Sequence, residues 1–172
     1  MRTDRVGYEA QVLRGAAVVS VVLGLCGYLL FAALASGLAR IGGRYFTIYA
    51  YTNYVGSFIC AAAGTYASGI VKSSALRRFG RSERGRPPRW SRAVSNSPRW
   101  LRLASNFATA SMVVYSAAVL LETWHRQDSF NVGKLAALFS AFCAALAWGS
   151  AVALTSAAAW QRDAGEREAD WS

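Results

Sequence analysis

The sequence predicts an all-α fold, a four-helix transmembrane bundle whose N- and C-termini both lie in the cytosol. Four segments of the 172-residue chain contain no charged residue, and each is 19 to 27 residues long: Gly15–Ala39, Tyr45–Val71, Leu103–Leu121 and Leu135–Gln161. About 20 mostly apolar residues are enough for a helix to cross a bilayer. A soluble helix needs a polar face that recurs along its length, and the first and fourth segments have none. We therefore expect a single membrane domain over residues 1–172.

The first predicted span covers about residues 15–39 and is expected to remain uncleaved. Its apolar run is longer than the core of a signal peptide, and no clear cleavage site ends it. Asp4 and Glu9 precede the span, whereas transit peptides are poor in acidic residues. Arg14 stands at the head of the span. Its side chain is expected either to extend toward the headgroups or to pair within the bundle.

The second predicted span covers about residues 46–71. Residues 40–44 connect it to the first span, and the glycine pair within this connection favours a tight turn. The first half of the span is unusually polar and aromatic. Tyrosine is typical of the membrane interface. Tyr49, Tyr51 and Tyr54 lie in this half, and Tyr45 directly precedes the span.

Residues 72–102 are predicted to form a basic cytosolic loop, which holds ten of the 19 Lys and Arg residues and all three prolines. A net charge of +10 also suits a nucleic-acid-binding protein. Here the charge lies beside membrane spans, which favours anionic lipid headgroups as the partner. Each cation near the surface adds about 1 kcal/mol to the attraction. We expect no nucleic-acid partner. The arginines expected to contact lipid or a cytosolic partner are Arg77, Arg78, Arg81, Arg84, Arg86, Arg89 and Arg92.

The third and fourth spans are predicted at about residues 103–121 and 135–160. The polar connection between them contains the single histidine, His125, near Glu122 and Asp128. One histidine with two scattered acids is a weak metal-ligand pattern. We interpret this connection as a solvated loop and expect neither a metal nor a cofactor.

The distribution of basic residues predicts the topology. Four spans place the N-terminus, the basic loop and the C-terminal tail on one side, and that side carries 15 Lys and Arg residues against four on the other. Basic residues accumulate on the cytosolic side of membrane proteins. Both termini and the basic loop are therefore expected in the cytosol, or on the matrix or stromal side of an organelle.

Small residues recur at every fourth position in two of the spans. The second-span stripe consists of Gly56, Cys60, Gly64 and Ser68, and the centre of the fourth-span stripe consists of Ala141, Ala145, Gly149 and Ala153. Residues four apart lie on one face of a helix. Helices in lipid associate through close packing of small residues. Both stripes are predicted to face neighbouring helices, within one chain or between chains.

The sequence contains no pattern typical of catalysis. No Asp, Glu, Lys or His lies inside a span, which disfavours a proton-coupled transporter. No serine has His and Asp in a motif context, and there is no P-loop. The most polar side chains near the spans are Asn53 and Asn106. A buried amide in lipid needs a partner, and the functional interpretation is an interhelical hydrogen bond or a substrate contact. We favour a structural role, in which Asn106, close to Arg102, lies near the cytosolic interface and is partly hydrated.

Two short motifs resemble the Casparian strip membrane protein-like family of MARVEL-type tetraspan proteins. The first is Val12-Leu13-Arg14-Gly15 at the head of span one, and the second is Leu103-Ala104-Ser105-Asn106 leading into Ser116-Ala117-Ala118 in span three. Arg14 matches the family's arginine, and Asn106 stands where the family has an aspartate. The resemblance implies a plasma-membrane scaffold that assembles as homo- or hetero-oligomers.

The expected function is that of a non-enzymatic integral membrane scaffold that associates laterally to organise a membrane domain. The plasma membrane is the favoured location, and an organellar inner membrane is the alternative. One rival hypothesis is a lipid-embedded accessory subunit of an organellar energy-transducing complex. A small channel or transporter is the less favoured rival.

Overall fold

The computed structural model describes residues 2–38, 44–79, 94–126 and 132–169. Four α-helices account for nearly all of them: α1 (Arg2–Ala35), α2 (Arg44–Phe79), α3 (Arg99–Arg126) and α4 (Val132–Ala169). Each helix is long and apolar enough to cross a membrane. The all-α fold with four membrane-spanning helices is confirmed, and the chain is a multi-pass membrane protein by the length and composition of these helices.

The helices end at different residues from the predicted spans. α2 continues to Phe79 and α3 begins at Arg99, so both ends of the predicted loop, residues 72–79 and 99–102, are helical. Hydropathy marks the part of a helix that lies in hydrocarbon, whereas a helix in water continues until a breaker. No glycine or proline occurs between Lys72 and Phe79, and Gly80 follows directly.

α1 ends four residues before the end of the predicted span. The backbone N–H of Ser36 donates to the Ala32 carbonyl at 3.0 Å, and the N–H of Gly37 donates to the Leu34 carbonyl at 3.2 Å. Gly37 has φ of 72°, a left-handed conformation that is easily reached only without a side chain. The turn predicted at the glycine pair of residues 42–43 lies outside the described residues.

Consecutive helices run antiparallel. Glu9 near the start of α1 accepts a hydrogen bond from Gln161 of α4 at 3.2 Å. Asn53 of α2 bonds to Leu23 of α1, and Glu122 of α3 pairs with Lys134 of α4 at 2.8 Å. The start of α1, the end of α2, the start of α3 and the end of α4 therefore share one end of the bundle. We call this end the basic end; that it faces the cytosol remains a prediction.

α4 lies at the centre of the bundle and contacts all three other helices. In the apolar part of α4, 56% of the residues are buried, against 11% in α3. Alanines are fully buried where α4 passes between its neighbours, and they include Ala144, Ala147, Ala151 and Ala157. Small side chains let the backbones approach closely, which strengthens van der Waals packing in a solvent that is itself apolar. α3 is the most peripheral helix.

Candidate functional site

The second-span stripe packs against helices of the same chain. Gly64 lies so close to α4 that a Cβ atom on it would be 2.8 Å from the Ser150 Cα. Ser68 donates a hydrogen bond from its hydroxyl to the Gly64 carbonyl at 2.8 Å, and Cys60 is buried. Gly56 has a different neighbour, because a Cβ there would be 2.8 Å from Cδ1 of Leu23 in α1. The second-span stripe thus contributes to two interfaces, one with α4 and one with α1.

The fourth-span stripe is partly buried and partly open. Ala141 and Ala153 are buried, whereas Ala145 and Gly149 are half-buried. A Cβ atom on Gly149 would meet only Ser105 Oγ of α3, at the ordinary contact distance of 3.9 Å. There is accordingly room for a larger side chain at Gly149, which there is not at Gly64.

Two depressions flank the half-buried strip of α4 around Gly149. The first, which we call the α2–α4 groove, has a volume of about 240 Å³. Small residues of both stripes line most of it: Gly64, Ser68, Ala145, Gly149 and Ala153, together with Ala61, Thr65, Leu146 and Ser150. Because its walls carry short side chains and Gly149 is only half-buried, the groove leaves part of the α4 backbone open to the surroundings.

The second depression, the α3–α4 cleft, has a volume of about 470 Å³. It differs from the groove in carrying two guanidinium groups at the basic end. Its lining comprises Arg99, Arg102, Leu103, Ser105 and Asn106 with Val94, Gly149 and Val152. Gly149 borders both depressions, so they meet at the half-buried strip of α4 between α2 and α3.

The two residues singled out by the family resemblance lie on different helices. Arg14 is exposed on α1, and Asn106 is exposed in the α3–α4 cleft. Arg77 and Arg78 lie in the last turn of α2, where the structure describes the backbone but not the side chains. The remaining arginines predicted to contact lipid lie outside the described residues: Arg81, Arg84, Arg86, Arg89 and Arg92.

The two asparagines have different surroundings. Asn53 is 2% exposed, and its Nδ2 donates to the Leu23 carbonyl of α1 at 2.9 Å. This interhelical hydrogen bond supplies a partner to a buried amide. The Oδ1 atom of Asn53 is also buried, and it has no hydrogen-bond partner among the described residues. Asn106 does not share this burial, because it faces the cleft.

Sequence reasoning missed an aromatic cluster centred on Trp148 of α4. The indole ring occupies the space next to Gly24 of α1, with its Cγ atom 2.8 Å from where a Cβ would lie. Its Nε1 donates to the Val21 carbonyl at 3.2 Å, and Tyr28 stacks on the ring at 5.7 Å. The cluster ties α1 to α4. The sequence around Trp148 does not reveal which neighbouring helix its ring packs against.

Among the described residues, no group of three or more His, Cys, Asp or Glu side chains is placed to hold a metal ion. In comparisons with protein-family models, characterised proteins and solved structures, no match to this chain was found. The class of multi-pass membrane protein therefore rests on the four helices themselves. The groove and the cleft are the features of these helices from which a function can be argued.

Proposed function

We propose that the chain is a non-enzymatic integral membrane scaffold that associates laterally with further copies of itself to organise a membrane domain. The observation that supports this is the α2–α4 groove, where both small-residue stripes reach an open surface. Helix association in lipid depends on close packing of small residues, because lipid tails are as apolar as leucine. The groove offers a further helix such a surface, with Gly149 at its edge.

The rest of the bundle surface suits contact with lipid. Large apolar side chains are exposed along α3, and Phe107, Val114 and Leu120 are each more than 60% exposed. Such residues make favourable contacts with lipid hydrocarbon but give no specificity for a partner helix. A partner helix is therefore expected at the groove rather than on the outer face of α3. The basic segment before α3 would add attraction to anionic headgroups.

The resemblance to the Casparian strip membrane protein-like family supports the same proposal and adds the plasma membrane as the location. The rival proposal, an accessory subunit of a larger complex, would place a different helix in the same groove. What distinguishes the two is the identity of the occupant. A scaffold binds copies of its own chain, whereas an accessory subunit binds other subunits at fixed stoichiometry.

The test is the subunit count of the purified protein in mild detergent, measured by light scattering and by cross-linking. We expect a homo-oligomer, and we expect Gly149→Leu to shift it toward the monomer because the leucine fills the edge of the groove. Gly69→Leu is the matched control, since Gly69 is exposed on α2 with no atom within 4 Å of a Cβ. A monomeric wild type, or constant co-purification with energy-transducing subunits, would overturn the scaffold.

A further inference from the structure

The α3–α4 cleft combines two arginines at the basic end with an uncharged lining that is mostly apolar. Arg99 and Arg102 lie one turn apart at the start of α3, at the basic end. Leu103 follows on the α3 wall, and Gly149 and Val152 of the antiparallel α4 line the opposite wall. Along α3, the lining thus passes from two guanidinium groups to uncharged side chains, the apolar Leu103 and the small polar Ser105 and Asn106. The loss of charge within a few residues matches the boundary between headgroups and acyl chains.

Arg102 is the most informative residue of the cleft. Its Nε atom is buried, and no hydrogen-bond acceptor in the described part of the chain reaches it. A buried N–H group of a charged side chain is costly unless an acceptor satisfies it. Arginines at the ends of transmembrane helices usually extend toward water, but Arg102 is half-buried, with its Nε against the protein. Arg102 also lines the α3–α4 cleft. An anionic oxygen in the cleft would accept hydrogen bonds from the other N–H groups of this guanidinium.

The start of α3 adds to the attraction for an anion. The Pro98 carbonyl accepts from the backbone N–H of Leu101 at 3.1 Å and of Arg102 at 3.3 Å, so Pro98 caps the helix. A proline cap offers no side-chain acceptor to the first N–H groups of the helix. Those groups carry the positive end of the helix dipole. Two arginines beside them are well suited to a phosphate, which guanidinium groups bind with two parallel hydrogen bonds.

We propose that the α3–α4 cleft binds one anionic phospholipid per chain, with its phosphate on Arg99 and Arg102 and one acyl chain against Gly149. The missing side chain at Gly149 matters here, since a Cβ would have only Ser105 Oγ within 4 Å. The acyl chain can therefore lie directly on the α4 backbone. Trp100 is 59% exposed one residue after Arg99, at the depth where tryptophan anchors to the interface.

The apolar part of the lining is the reason to prefer a lipid over a soluble anion. A free phosphate would use the two guanidinium groups but would leave Leu103, which is 59% exposed, uncovered. A phospholipid covers both parts of the cleft with a single molecule. The site also differs from a diffuse attraction of a basic segment to a charged surface. It is defined by two arginines and a cavity, and it should hold one lipid at fixed stoichiometry.

Native mass spectrometry of the full chain in neutral detergent tests the proposal, with phosphatidylglycerol and phosphatidylcholine as probes. We expect one phosphatidylglycerol per chain to be retained and phosphatidylcholine to be lost. Arg99→Gln and Arg102→Gln should each weaken retention roughly ten-fold, the effect of losing one charge-assisted hydrogen bond. Arg162→Gln is the charge-matched control, because Arg162 is exposed at the same end but lies outside the cleft.

Three results would overturn the proposal: equal retention of the two lipids, equal loss in the Arg162→Gln control, or displacement of phosphatidylglycerol by inorganic phosphate. Arg99 is exposed, so Arg99→Gln carries the test even where Arg102→Gln fails to fold. The lipid count and the subunit count come from the same spectrum. The two proposals can therefore fail separately. Oligomers without bound lipid would contradict the lipid site alone, and a monomer with bound lipid would contradict the scaffold alone.

Discussion

Gly64 of α2 lies against Ser150 of α4, and a Cβ atom on Gly64 would be 2.8 Å from the Ser150 Cα and 2.7 Å from its Cβ. No side chain can rotate away from such a contact, because one of the partners is backbone. The two parallel helices are therefore held at a distance that only glycine permits at this position. This contact limits how closely α2 and α4 can pack.

Gly64→Ala should lower the free energy of unfolding by about 1–3 kcal/mol, the usual cost of overpacking. The reason is that α2 and α4 must move apart to admit the methyl group. The control is Gly69→Ala, where a Cβ meets no atom within 4 Å. At that exposed helical position alanine should be neutral or stabilise by up to about 1 kcal/mol. Unfolding in mixed detergent, followed by circular dichroism, measures both; equal midpoints for the two variants would contradict the close contact.

Gly24 and Trp148 should be energetically coupled, because the indole ring fills the space beside the glycine. Gly24→Ala alone should destabilise by about 1–3 kcal/mol. In a Trp148→Leu background the same substitution should cost less, since the smaller side chain leaves room for the methyl group. A double-mutant cycle measures the difference, which for residues in contact is about 0.5–3 kcal/mol. Strict additivity of the two substitutions would show that the ring does not occupy this space.

Substitutions of Asn53 should distinguish the energetic contributions of the Nδ2 and Oδ1 atoms of its amide. Asn53→Leu loses the bond to the Leu23 carbonyl but also removes the unsatisfied Oδ1, so the expected cost is about 1 kcal/mol or less. Asn53→Asp keeps the shape and places a carboxylate opposite a carbonyl, and we expect a cost of about 2.5–3.5 kcal/mol.

Asn106→Asp is the control for this comparison. Asn106 is exposed in the α3–α4 cleft, and Arg102 lines the same cleft. A carboxylate there should cost much less than one at position 53, although both substitutions add the same charge. Thermal midpoints of the three variants in one detergent provide the ranking. An Asn106→Asp variant as unstable as Asn53→Asp would contradict the difference in burial.

The spans were predictable because hydropathy averages over about 20 residues, and occasional tyrosines or asparagines do not alter that average. The neighbours of the second-span stripe were not predictable. With 3.6 residues per turn, residues four apart rotate by about 40° at each step. Gly56 and Gly64 are therefore about 80° apart, which directs one toward Leu23 of α1 and the other toward Ser150 of α4.

The α3–α4 cleft shows a second limit of sequence reasoning. Arg99 and Arg102 belong to the segment predicted as a loop. In a loop, each would contribute only to the total positive charge of the segment. The structure places both on the first turn of α3 and buries one nitrogen of Arg102. Helix starts in water are set by local turns, here Val94–Pro98, where the Ser97 hydroxyl donates to the Val94 carbonyl at 2.8 Å. Hydropathy does not register such a turn.

The predicted topology requires the basic end to face the cytosol, and single cysteines at the two ends test this. Ser95 is exposed beside the start of α3, and Leu38 is 86% exposed just after α1, at the opposite end. In a chain whose native cysteines are replaced, Leu38→Cys should react with an impermeant maleimide in intact cells. Ser95→Cys should react only after permeabilisation. The reason is that the side of Ser95 carries 15 basic residues, whereas the opposite side carries four. Labelling of Ser95→Cys but not Leu38→Cys in intact cells would invert the orientation, and with it the leaflet from which the α3–α4 cleft draws its lipid.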